Sequence, residues 1–296
     1  MDKIYITNFG DNNVSVIDGQ TNQVINTIPV GSDPEGIGVN SATNRIYVAN
    51  QADRNVSVID GRTDVVIDTI PLPPGEELDF AAGVGVNPIT NRIYVTNLGS
   101  NFIWVIDGHT NTVIDKITIS SPSVCVAIDS VLNRIYTTNI YSDTVSIIDG
   151  QTNREINTIS VGHSPKGIGV NSATNYIYVA NQGDDNISVI DGRTDKVVDM
   201  IQVGHIPVAV GVNLSNNHIY VVNNSSRNVY VISGHTHKVI VITPVGDLPE
   251  GVGVNSITDN IYVTNFKTVS VIDGQTNTVH TTIPVGDNAR GVGIHP

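Results

Sequence analysis

Residues 36–61 read Gly-Ile-Gly-Val-Asn-Ser-Ala-Thr-Asn-Arg-Ile-Tyr-Val-Ala-Asn-Gln-Ala-Asp-Arg-Asn-Val-Ser-Val-Ile-Asp-Gly. Three phrases are packed into this stretch: Gly-Ile-Gly-Val-Asn, Ile-Tyr-Val-Ala-Asn and Val-Ser-Val-Ile-Asp-Gly. Each returns along the chain. The tyrosine of the second phrase recurs as Tyr5, Tyr47, Tyr94, Tyr136, Tyr178, Tyr220 and Tyr262, at spacings of 42, 47, 42, 42, 42 and 42 residues. The third phrase ends at Gly19, Gly61, Gly108, Gly150, Gly192, Gly234 and Gly274. A fixed period of this length marks a repeat architecture.

Each repeat holds four short strand candidates between turn residues, read in the first full unit as 36–40, 45–50, 55–60 and 65–72. Four strands per 42 residues predicts a propeller blade, and seven copies predict a seven-bladed ring of antiparallel sheets. The strands are apolar on both faces, as in Val56, Val58 and Ile59, which suits a sheet packed between two others. The Gly-x-Gly strand belongs innermost, where the blades crowd together. Pro29, Pro71, Pro244 and Pro284 recur in the outermost strand, where an unpaired edge tolerates a missing N–H. The Asp-Gly-x-Thr-Asn turns join the outer strands, with glycine expected to take the positive φ. The chain opens on a second strand, 4–8, and closes on a lone inner strand, 291–295. Residues 3–30 plus 289–295 should therefore form blade one and close residues 1–296 into one ring.

The phrase Ile93-Tyr94-Val95-Thr96-Asn97, repeated at Ile261 to Asn265, resembles the YVTN-repeat β-propeller family across essentially the whole chain. That resemblance implies the propeller fold and an extracellular, cell-surface or periplasmic setting, with surface-layer and redox-associated proteins among similar members. It says little about activity, because one fold hosts many functions.

Composition limits the partners. With 15 basic against 28 acidic residues the net charge is −13, which disfavours nucleic acid and anionic membranes. No apolar run approaches a membrane span. The one cysteine, Cys125, excludes an intrachain disulfide. Met1-Asp2-Lys3 leads straight into a strand with no signal peptide visible.

Departures from the repeat point to one face of the ring. The loops entering the inner strands, and those joining second to third strands, vary; the opposite face carries near-identical turns such as 40–44 and 171–175. Variable loops on a rigid frame are where sites are built. All four phenylalanines, Phe9, Phe80, Phe102 and Phe266, fall in the variable set, either as loop packing or as an apolar platform for a ligand or partner. Five extra residues enlarge the loop at 73–80, as a lid, an arm or a tolerated insertion. Trp104 replaces a repeat serine nearby.

Two positions of the loops entering the inner strand face the channel mouth. One carries Ser32, Ser121, His163, His205, Asp247 and Asp287, the last four in successive blades and either solvated or ligands of a divalent metal ion. Three residues further on stand Glu35, Ala82, Val124, Lys166, Val208, Glu250 and Arg290. Three functions follow. One is a non-catalytic module binding a small molecule or protein on this face. The second is a metal-assisted lyase or lactonase-like hydrolase, with His163 or His205 as base or ligand. The third is a purely structural surface-layer brick that assembles through blade rims or faces. Cys125 reads as a small packed thiol. His235 and His237 read as solvated turn residues.

Overall fold

A computed structural model describes residues 2–73 and 80–296; most of the enlarged loop, residues 74–79, lies outside them. The described residues contain strands and turns but no helix. The strands form seven four-stranded antiparallel sheets. The chain is a seven-bladed β-propeller. In blade 2 the strands run Pro34–Asn40, Arg45–Asn50, Asn55–Asp60 and Val65–Pro71, from the axis outward. Blade 1 takes its inner strand, Ala289–His295, from the far end of the chain; it pairs antiparallel with Lys3–Asn8.

The repeat motif is a set of buried contacts. Its seven tyrosines are almost completely buried between blades. Its asparagine clamps the turn of its own blade: Asn50 Nδ2 donates to Asn55 Oδ1 (2.7 Å) and to Ser57 Oγ (2.8 Å), and Asn181 repeats this with Asn186 and Ser188. The asparagine closing the inner strand reaches the next blade, as Asn40 does to Asn91 (2.7 Å) and Asn87 to Asn133 (2.8 Å). The same bond closes the ring, from Asn255 of blade 7 to Asp2 of blade 1 (2.9 Å). Side chains at the start of the second strand make a further clasp: Lys3 to Asp64 and Arg134 to Asp195.

Two expectations about turns are corrected. No glycine among the described residues has positive φ; that conformation falls on Asn or Asp later in the turn, as at Asn22, Asp64 and Asn111. The side chains of Asn and Asp tolerate this region better than other non-glycine residues do. Glycine is required by close approach instead. A Cβ on Gly108 would stand 2.3 Å from Asn91 Oδ1, and one on Gly251 only 2.0 Å from the Arg290 carbonyl. In blade 6 the positive-φ residue is His237, which is not solvated: it is half-buried, with its ring edge-on to Tyr176 at 5.0 Å and Tyr178 at 6.0 Å.

The outer turns also set the acid response. The carboxyls of Asp18, Asp60, Asp107, Asp149 and Asp273 are held below the usual range, led in each by the amide of the threonine three residues on. A depressed carboxyl contributes stability above its ordinary value and loses it as pH falls through the folded one. The melting temperature is therefore expected to drop steadily on acidification from about pH 5 to about pH 2. Calorimetry across that range showing a flat profile would contradict these bonds.

Candidate functional site

Seven inner strands surround a channel whose mouth is lined by one residue per blade: Glu35, Ala82, Val124, Lys166, Val208, Glu250 and Arg290. In four blades the motif threonine, Thr7, Thr96, Thr138 or Thr264, fixes part of this ring. Thr7 donates to the Glu35 carbonyl (2.9 Å), Thr138 to that of Lys166 and Thr264 to that of Arg290 (2.7 Å each), always in the next blade. The same hydroxyls accept inner-strand amides of their own blade, from Gly291 to Thr7 (2.7 Å) and Gly251 to Thr264 (2.8 Å). A repeat feature that looks structural thus sets the backbone from which the mouth side chains project.

Four of the seven mouth residues are charged, and they form two ion pairs. Arg290 of blade 1 pairs with Glu35 of blade 2. Lys166 of blade 5 pairs with Glu250 of blade 7, reaching past the buried Val208 of blade 6. Asn224 supports Glu250 with a bond of 3.2 Å and also holds the Pro249 carbonyl. The Arg290 guanidinium carbon lies 3.8 Å from the centroid of the Phe9 ring, a cation–π contact. The Arg290 Nε is buried and has no acceptor among the described residues. Each charged side chain remains 22–27% exposed.

Burial is the main influence on Glu35 and raises its carboxyl; Arg290 and then Lys166 oppose it, and Glu250 adds to it. The other three charges therefore all act on Glu35 within one partly wet opening. Beneath them lies an apolar throat walled by Ile37, Val84, Val126, Ile168, Val210 and Val252 among others, and mouth and throat together enclose about 230 Å³. Cys125 lies in this wall, and burial pushes its thiol up to about 11. At neutral pH it is a thiol rather than the nucleophilic thiolate.

The structure distributes the remaining sequence candidates elsewhere. Phe9 joins the mouth through Arg290. Phe266, at the equivalent position in blade 7, is exposed, with Lys267 Nζ 5.5 Å from its ring centroid. Phe80 is exposed at the edge of the enlarged loop and donates its amide to Asn97. Phe102 is corrected: it opens a strand, is only 5% exposed, and packs edge-on against Trp104 at 4.8 Å beneath Lys116. Trp104 and Phe102 share the core between blades 2 and 3, so the pair is packing and not a platform.

The four proposed metal ligands are not brought together. Their side chains run along the crest of the ring: those of His205, Asp247 and Asp287 turn toward a loop of the preceding blade, and that of His163 lies between a loop of its own blade and one of the preceding blade. His205 Nδ1 lies 2.7 Å from Asp185, Asp247 pairs with Arg227 (2.7 Å), and Asp287 lies 3.7 Å from Lys267. His163 Nδ1 is 3.6 Å from Asp184 and 3.9 Å from Asp143. Among the described residues no group of three or more His, Cys, Asp or Glu is placed to hold a metal ion. Equal position in the repeat put these residues on an arc; local charge pairing turned them along it.

Comparisons with known proteins carry the fold. No protein-family model matches the sequence, and no curated protein is significantly similar to it. Among solved structures, a functionally unknown protein from Desulfotomaculum acetoxidans DSM 771 superposes with a TM-score of 0.83, at 15% identity over 99% of this chain and 98% of that one. Kuenenia stuttgartiensis hydrazine synthase gives 0.78, at 17% identity over 96% and 92%. Dihydro-heme d1 dehydrogenase NirN in complex with DHE gives 0.71, at 13% identity over 95% of this chain and 63% of that one. At such identities the likeness extends to the propeller and not to its activity. Among the described residues no helix is long and apolar enough to cross a membrane.

Proposed function

We propose that this propeller is a non-catalytic binding module that holds a small molecule at the channel mouth. The observation behind this reading is the pair of ion pairs, Arg290–Glu35 and Lys166–Glu250, set over an apolar throat. Concave apolar pockets with a few convergent polar groups are the usual form of a ligand site. The polar end of a ligand would exchange with the ion pairs, and its apolar body would enter the throat. Phe9 stacks on Arg290 and restricts that side chain, which lowers the entropy lost on binding. The Ile-Tyr-Val-Thr-Asn repeats support membership of the YVTN family and, with it, a surface or exported setting.

A panel of aliphatic amino acids, dicarboxylates and alkylammonium ions tests the site by thermal shift and calorimetry. At least one class should stabilise the wild type. Replacing Lys166 and Arg290 together by methionine should weaken that binding at least about tenfold, or by about 1.4 kcal/mol. Binding unaffected by the double substitution would move the site elsewhere. Measurable turnover of any probe would replace a binding role with a catalytic one.

A further inference from the structure

The four charged groups at the mouth are not equally committed to one another. Both oxygens of Glu250 are engaged, Oε1 by Lys166 and Oε2 by Asn224 (3.2 Å). Glu35 is half engaged: its Oε2 accepts from Arg290, and its Oε1 accepts from no described residue. Lys166 donates to Glu250 alone, whereas an ammonium group has three hydrogens to give. Arg290 is bound to Glu35 and held against the Phe9 ring. The spare capacity of the mouth is therefore an acceptor on Glu35 and donors on Lys166, at one opening.

Charge balance then sorts the possible ligands. Glu35 and Glu250 stand against Lys166 and Arg290, so the mouth is neutral as a whole. A lone anion on Lys166 would add negative charge where burial already disfavours an ionised Glu35. A chain of net charge −13 also opposes its approach. A lone cation on Glu35 would leave one positive charge in excess beside Lys166 and Arg290. A zwitterion adds no net charge, and its two ends match the two spare groups.

The throat fixes where those ends lie. Its wall is apolar at Ile37, Val84, Val126 and Val210, and the Cys125 thiol in it is neutral at pH 7. An isolated charge carried down there would have no partner and is strongly disfavoured. Both charges of the ligand must therefore sit at one end, with an apolar remainder. The enclosed volume of about 230 Å³ falls below the range of about 300–1,000 Å³ usual for drug-sized ligands, so the molecule is small.

Resting on the binding-module reading above, we propose that the ligand is a free α-amino acid with an aliphatic side chain, its carboxylate on Lys166, its ammonium on Glu35 and its side chain in the throat. One carbon joins both charged groups and carries a single tail, which is the shape the mouth and throat select. An ω-amino acid or a dicarboxylate would drive a charge into the apolar wall. A residue within a peptide chain has neither charge at its α-carbon, so the site takes the free molecule.

Calorimetry on the full chain tests this with leucine and three relatives: isocaproate, which lacks the ammonium; isoamylamine, which lacks the carboxylate; and ε-aminocaproate, which has its charges at opposite ends. Leucine should bind at least about tenfold more tightly than each of the others. Two variants give a second readout. Lys166→Met leaves the mouth with an excess negative charge and should turn its preference from leucine toward isoamylamine. Glu35→Gln leaves an excess positive charge and should turn it toward isocaproate. A packing defect would instead weaken all four alike. The comparison on the wild type stands even where a variant folds poorly. Any relative binding as tightly as leucine overturns the amino-acid assignment while leaving the binding module intact, and so does tighter binding of a dicarboxylate. Binding of none of these compounds overturns both.

Discussion

Removing residues 289–296 is expected to abolish the cooperative fold, the largest effect of any change considered for this molecule. The segment supplies the inner strand of blade 1, in register from Lys3–His295 to Asn8–Ala289. Without it, Ile4 and Ile6 lose cover, and the cluster they share with Val271, Ile283 and Val292 is opened. Both neighbouring blades also lose a packing surface. A Cβ on Gly253 of blade 7 would sit 2.4 Å from Val292, and one on Gly293 would sit 2.9 Å from Val39 of blade 2. Each large apolar side chain uncovered costs about 1.5–3 kcal/mol, and several are affected, against a typical total stability of about 5–15 kcal/mol. Near-UV circular dichroism should be lost, with no sharp thermal transition. A permuted chain that places 289–296 ahead of residue 1 through one added glycine should remain folded. The join would then resemble the four-residue turn between Asn40 and Arg45 of blade 2. A stable truncated chain, or an unfolded permutant alongside a folded wild type, would show that closure is not what holds the ring.

The ring, its closure and the order of strands within a blade were all legible in the sequence because they follow from periodicity. Glycine, proline and tyrosine each return at one position, and each has one physical reason to be there. Second and third strands read from the sequence, 45–50 and 55–60, agree with Arg45–Asn50 and Asn55–Asp60. The mouth position was legible for the same reason, since equal places in a repeat converge on the axis. What periodicity does not carry is the reach of a side chain. Lys166 meets Glu250 across an intervening blade, and nothing in their separation of 84 residues selects that partner. His205 turns to Asp185, and Phe102 folds under Lys116, because of neighbours peculiar to one blade. The positive φ assigned to glycine fell on Asn and Asp because both readings fit the same turn sequence.

Arg290→Met is expected to destabilise the protein by about 2–3 kcal/mol at neutral pH, less than the loss for a fully buried pair because the mouth is partly wet. The substitution removes the partner of Glu35 and the cation over Phe9 while keeping most of the apolar stem. The pH dependence separates this cause from a packing defect. Burial already raises the Glu35 carboxyl, and Arg290 is the strongest influence holding it down. Without Arg290 the carboxyl rises further. The folded state then binds more protons than the unfolded state between the ordinary glutamate value of 4.5 and the raised one. Stability contributed by a raised group is present at low pH and is lost as pH rises through that window. Urea unfolding of the variant should therefore show a deficit that is small near about pH 4.5 and grows toward about pH 7. Adding Glu35→Gln should remove most of that pH-dependent deficit, because a neutral amide needs no counter-charge. A deficit equal at both pH values, or unchanged by the second substitution, would assign the loss to packing around Phe9 and leave the mouth without electrostatic coupling.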